Sequence, residues 1–187
     1  MMKNALSDDV WAGGGGRNDN AELEGCNEYS FGSDQSFIGG VWESYYQLIY
    51  KANVILGRVE PDTDLKKKAC AEAKFFRAYS YFDLVQLFGN VIITKEPLDI
   101  TSPELRMSRN DRSEVIDFVI QELKDAAEVL PETITTDDEG RISKWGAYAF
   151  LSRVALYEGT WQQNRNNEER GKALLSIAAD AAKKVID

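Results

Sequence analysis

The residues best suited to holding a small polar ligand lie close to the start of the chain. Trp11 stands between Ser7-Asp8-Asp9 and the run Gly13-Gly14-Gly15-Gly16, which leads into Arg17-Asn18-Asp19-Asn20. An indole on a loop can stack on the apolar face of a sugar ring, while neighbouring polar side chains hydrogen-bond its hydroxyls. Trp11, Arg17 and Asn18 are therefore the candidate ligand-binding residues. The competing reading makes Trp11 a plain anchor for its loop.

A second polar cluster, Asp137-Asp138-Glu139-Gly140, has the oxygen-rich chemistry that a hard cation prefers. It lacks the alternating ligand spacing of a calcium loop, so it reads as a solvated acidic turn and no metal is assigned. Glycoside hydrolysis needs two carboxyls facing each other across a sugar. Acidic residues are plentiful here, yet no feature selects such a pair. Histidine is absent altogether, which removes imidazole metal sites, a Ser-His-Asp triad and a Cys-His dyad together. No catalytic residues and no cofactor are therefore assigned.

Lys and Arg number 22 against 31 Asp and Glu, a formal net charge of −9. Such a chain lacks the basic footprint of a nucleic-acid binder. No apolar run approaches the ~18 residues of a membrane span. Of the two cysteines, Cys70 sits in a helical run and reads as a small packing residue. Leu23-Glu24-Gly25-Cys26 has the outline of a lipoprotein cleavage box, but the residues before it are polar where an apolar stretch is required.

These candidates need elements to position them. Residues 1–40 are rich in Gly and Asn, a composition that favours loops. From residue 41 to residue 187 the pattern turns to helix after helix. Val41, Tyr45, Leu48, Ala52, Ile55 and Val59 fall on one helical face, and Pro61 ends that segment. Asp64 can cap the next helix, which runs to Phe88 and stops at Gly89. Its second half carries Phe75, Phe76, Tyr79, Tyr81, Phe82 and Phe88, apolar nearly all round, and reads as core rather than as a sugar platform.

Residues 90–108 form a connector with a short extended piece at Val91-Ile92-Ile93. Asp111 and Glu114 have capping-box spacing before the stripe Val115, Val119, Leu123, Ala126 and Leu130. Ser143 caps a fourth helix that is lined by Ala147, Leu151, Val154 and Ala155 and ends near Gly159. A fifth uses Leu174, Ile177, Ala178, Ala181 and Val185. The expected fold class is all-α, built of antiparallel hairpins with an irregular N-terminal loop region. Periodicity alone leaves open a tetratricopeptide-like superhelix or a helical bundle. Ala181 to Asp187 stop inside a periodic helix, so the chain is expected to be a piece of a longer protein.

Four blocks in order then resemble one family. Trp42-Glu-Ser-Tyr45-Tyr46 through Ala52-Asn53 to Leu56 is similar to the "W..YY..I..AN..L" helix of SusD/RagB-type proteins. Ala71-Glu72-Ala73-Lys-Phe75-Phe76-Arg77-Ala78-Tyr79 through Phe88-Gly89 resembles "AEAKFLRAYYYFDLVRLFG". Arg106 to Leu123 resembles "R.SR.EVY..I..DL". Gly140-Arg141-Ile-Ser143-Lys144 resembles "GR.TK.AA", with Tyr157-Glu-Gly159 to Trp161 following. One departure is Ile92, where the family's "FG.VPL" carries proline.

The resemblance implies a tetratricopeptide-like helical part of an outer-membrane nutrient-binding lipoprotein, lipid-anchored at the cell surface. It implies an oligosaccharide ligand and a SusC-like TonB-dependent transporter as partner. It also implies a ligand-contacting aromatic upstream of the "W..YY" helix, the region that holds Trp11. The alternative function is a tetratricopeptide-like protein-interaction scaffold that binds no sugar. Trp42, Tyr45, Tyr46, Glu72, Arg77, Trp145 and Trp161 are expected to be structural.

Overall fold

The computed structural model describes residues 21–32, 35–102 and 106–187. Among them are six α-helices and no β-strand: α1 (Ala21–Asn27), α2 (Ser36–Arg58), α3 (Asp64–Phe88), α4 (Arg112–Val129), α5 (Lys144–Gln163) and α6 (Glu168–Ile186). The all-α expectation holds. The chain forms two compact units that divide between Ser44 and Tyr45.

In the first unit α1 carries the buried Cys26, and the Phe31 and Phe37 rings meet edge to face at 6.0 Å. Part of the stretch expected to be loop is thus helical, and α2 starts at Ser36 rather than Val41. Both cysteines are free thiols, and the Cys70 Sγ lies 3.7 Å from the Val59 carbonyl oxygen.

In the second unit each helix packs on the next, α3 on α4, α4 on α5 and α5 on α6, the arrangement of stacked hairpins. The helix ends follow local chemistry. The Thr63 hydroxyl, not Asp64, caps α3 by accepting from the Lys66 amide, and Gly89 closes it at φ +73°, where a side chain would be strained. Asp111 and Glu114 form the expected capping box on α4. The Ser143 hydroxyl accepts from the Gly146 amide at 3.1 Å to start α5.

All five stripe residues expected in α4 are buried, as are all four in α5. In α2 the inward face is rotated: Ile49, Ala52 and Asn53 are buried, whereas Ile55 is 38% exposed. In α6 the apolar stripe holds through Leu174, Ala178 and Ala181, but Val185 lies open. Gly159 does not end α5, which continues to Gln163. It marks instead the closest approach of α5 and α6, because a Cβ there would meet the Gly171 carbonyl oxygen at 3.2 Å.

Two stability effects follow from this packing. Phe82 is buried with its ring edge-on to Phe150 and Tyr157, each at 5.6 Å. Phe82→Ala is expected to cost ~3–5 kcal/mol in urea unfolding. A Cβ at Gly171 would sit 3.0 Å from the Gly159 carbonyl oxygen and 3.3 Å from the Gln163 amide nitrogen. Gly171→Ala should therefore lower stability by about 1–3 kcal/mol, despite alanine's better helix propensity. A melting temperature equal to wild type would refute that close approach.

Candidate functional site

The connector after α3 is where the motif residues converge. Val91 makes a single antiparallel bridge with Asn110, and no strand pairs with the residues that follow. Side chains satisfy this backbone instead, as buried polar groups require. The Tyr46 hydroxyl accepts from the Ile92 amide at 2.9 Å and donates to the Ile92 carbonyl at 2.8 Å. Tyr81 does the same for Thr94, accepting at 2.7 Å and donating at 3.2 Å. The Asn53 amide donates to the carbonyls of Thr94 and Glu96 at 3.0 and 3.1 Å. The Asn110 side chain takes the Ile93 amide at 2.9 Å. Burial pushes the phenol pKa values of Tyr46 and Tyr81 well above their ordinary value, so both stay neutral and keep a proton to donate. Ile92, the departure from the family's proline, has an N–H that proline would lack, and Tyr46 takes it up.

Arg77 ties this network to α4. Its guanidinium donates to Glu122 at 2.8 Å, to the Asn53 side-chain oxygen at 2.7 Å and, more weakly, to the Lys95 carbonyl at 3.5 Å. Burial holds the Glu122 carboxyl above the usual carboxylate range, with Arg77 pulling the other way. Arg112 repeats the theme. It donates to the fully buried Glu158 at 2.8 Å and to the Val85 carbonyl at 3.2 Å, and its guanidinium lies 4.1 Å from the centre of the Trp161 ring. Arg165 approaches the same indole at 3.7 Å. Glu122 and Glu158 are thus each clamped by an arginine, an arrangement for structure rather than acid–base chemistry. Glu72, half-buried on α3, pairs with the exposed Arg141, in keeping with its structural reading.

The acidic turn forms a short 3₁₀ segment, Thr136–Asp138. Asp138 pairs with Lys68 at 2.5 Å and approaches Arg141 at 3.6 Å, and the Lys68 ammonium holds its carboxyl below the usual range. Its charge is directed to cations of the chain itself. Trp145 stacks near Tyr148, with Lys144 5.3 Å from its ring centre.

Trp11, Arg17 and Asn18 lie outside the described residues. The aromatic run of α3 divides in a way the sequence pattern did not show. Phe75, Tyr81 and Phe82 are buried, but Phe76 is 45% and Tyr79 37% exposed. Tyr79 stands 5.4 Å from the Phe150 ring of α5 and 6.5 Å from the Tyr45 ring of α2. The Tyr45 hydroxyl donates to Asp83, which also interacts with Tyr79. Helical register does not separate Tyr79 from the buried rings, because Tyr79 follows Phe75 by four residues and precedes Phe82 by three, which puts all three on one side of the helix.

A stacked-hairpin helical protein with aromatic and Tyr–Asp surface chemistry belongs to a broad class, and comparison narrows it. Residues 11–156 match the SusD-like family described as "Starch-binding associating with outer membrane". The chain belongs to this family. It is 31% identical over 134 residues to SusD-like protein P25 of Formosa agariphila, covering 69% of this chain and 25% of that protein. Among solved structures, a laminarin-binding SusD-like protein is similar at 33% identity and a TM-score of 0.79, covering 98% of this chain and 37% of that one. Another, solved with a xylogluco-oligosaccharide, is similar at 27% identity and a TM-score of 0.73, covering 87% of this chain and 32% of that one. The chain therefore spans about a quarter of the length of the curated relatives it matches.

The Arg77–Glu122 pair makes the network testable. Glu122→Gln leaves a buried guanidinium without its counter-charge and is expected to destabilise by ~3–5 kcal/mol. Replacing both residues with apolar side chains of similar volume should recover part of that loss in the same denaturation assay.

Proposed function

We propose that this chain is the helical part of a non-enzymatic glycan-binding protein that works in oligosaccharide uptake at the outer membrane. The observation that carries the reading is the family match across residues 11–156, joined by structural similarity to a laminarin-binding relative and to one solved with a xylogluco-oligosaccharide. In this reading the protein holds its ligand without bond-making or bond-breaking chemistry. A lipid anchor in the full-length protein fixes it at the cell surface beside a SusC-like TonB-dependent transporter, which takes the captured oligosaccharide. Among the described residues no helix is long and apolar enough to cross a membrane, so membrane attachment would have to come from another part of the protein or from a partner.

Trp11, Arg17 and Asn18 are the proposed ligand contacts, with the indole stacking on a sugar ring and the polar pair bonding its hydroxyls. Trp11→Ala is expected to weaken binding of a laminarin- or xyloglucan-derived oligosaccharide tenfold or more, roughly 1–3 kcal/mol, with little change in melting temperature. Calorimetry and thermal unfolding measured side by side separate the alternatives. Retained affinity with a sharply lowered melting temperature would make Trp11 a structural anchor. Absence of binding to every glycan tried would overturn the glycan-binding reading itself.

A further inference from the structure

We infer that α2 carries a joint at Gly39-Gly40, about which the first unit turns while the rest of the helix stays fixed to the second. The joint itself stands on residues 31–46 and needs no ligand. Trp11, Arg17 and Asn18 come before it in the chain, so in the glycan-binding reading it lies, along the chain, between the ligand contacts and the helical stack.

Two adjacent glycines inside a helix require a reason, because only proline is a poorer helix former. A glycine that admits a neighbouring element would be such a reason, and Gly159 and Gly171 show it in this chain. Gly39 and Gly40 do not: a Cβ built on either meets no atom within 4 Å, and neither has a positive φ. What the pair does supply is backbone freedom. One turn further on, the Ser44 hydroxyl donates to the Gly40 carbonyl at 2.7 Å. A serine bonded back to the carbonyl four residues before it loosens and bends a helix, and glycine and serine together mark kinks.

α2 is held on both sides of this spot. Before it, Phe37 packs edge to face on Phe31 at 6.0 Å, and the Ile38 amide donates to the Gln35 carbonyl at 3.1 Å. After it, the Tyr45 hydroxyl donates to Asp83 and the Tyr46 hydroxyl clasps Ile92. The buried residues of α2 begin only at Ile49. The division between the units falls between Ser44 and Tyr45, at the end of the loosened turn. A weak stretch between two anchored ones is the usual construction of a hinge.

The test is pulsed electron paramagnetic resonance on the full chain, with spin labels at Tyr29→Cys and Tyr50→Cys and with Cys26→Ala and Cys70→Ala removing the native thiols. The distance distribution of this pair should be at least twice as wide as that of a control pair at Tyr50→Cys and Leu65→Cys within the second unit. Gly39→Ala combined with Gly40→Ala should narrow it towards the control. Hydrogen exchange on the unlabelled chain, with both cysteines kept, is the second readout and does not depend on that background folding. Amides 41–44 should exchange at least tenfold faster than amides 50–53, and the two alanines should reduce that ratio at least threefold. Equal protection of the two stretches overturns the joint. Fast exchange with a narrow distribution also overturns it, because local fraying would be the cause. A wide distribution that the alanines leave unchanged places the motion elsewhere and overturns it as well. A lowered melting temperature in the alanine variant overturns it too, since the glycines would then serve a close approach. None of these outcomes involves a glycan, so failure of the joint leaves the glycan-binding reading standing, and failure of that reading leaves the joint.

Discussion

Extended backbone with no strand beside it must find hydrogen-bond partners elsewhere, and residues 91–96 place that demand on the helices around them. Tyr46 and Tyr81 each clasp the N–H and C=O of one residue, Asn53 spans two carbonyls, and Arg77 fastens the assembly to α4 through Glu122. The most recognisable residues of the sequence are therefore those that hold a connector in place. Their chemistry is that of satisfied buried polar groups, whose removal costs far more than their presence contributes.

The same solution appears twice. Arg77 and Arg112 each combine a buried carboxylate, a backbone carbonyl and an aromatic ring: Glu122, Lys95 and Phe118 for one, Glu158, Val85 and Trp161 for the other. A planar guanidinium with several donors can serve all three partners at once, which a lysine ammonium cannot match. One clamp ties α3 to α4 and the other ties α4 to α5, so the stack of hairpins is held by polar bolts as well as by apolar stripes.

Periodicity made the helices of the second unit legible, along with most of their caps, because 3.6-residue spacing and capping chemistry are local. Rotation of α2 was not legible. Its apolar count favours the Ile55 side, but Asn53 must face inward to reach Thr94 and Glu96, some forty residues away in sequence. Gly159 departs from its expected place at a helix end for a related reason. A glycine that ends a helix and one that admits a neighbouring helix look alike until the neighbour is placed. The motif named Tyr46 and Arg77 as structural without revealing their partners, since those partners are defined only by the fold. The split of the α3 aromatics into inner and outer rings depended likewise on where α5 lies.

The clasped connector also sets where the chain tolerates changes of length. Between Val91 and Glu96 every residue is held at a fixed register, so one inserted or deleted residue would pull Ile92 from Tyr46 or Thr94 from Tyr81. A few residues on, the Asp99 carboxylate closes only a local turn by accepting from the Thr101 amide, and Ile100 stands almost wholly in water. A peptide tag or a fluorophore attachment site placed at Ile100 would leave the clasp untouched, whereas the same insertion at Ile93 would unfasten the two hairpins it joins.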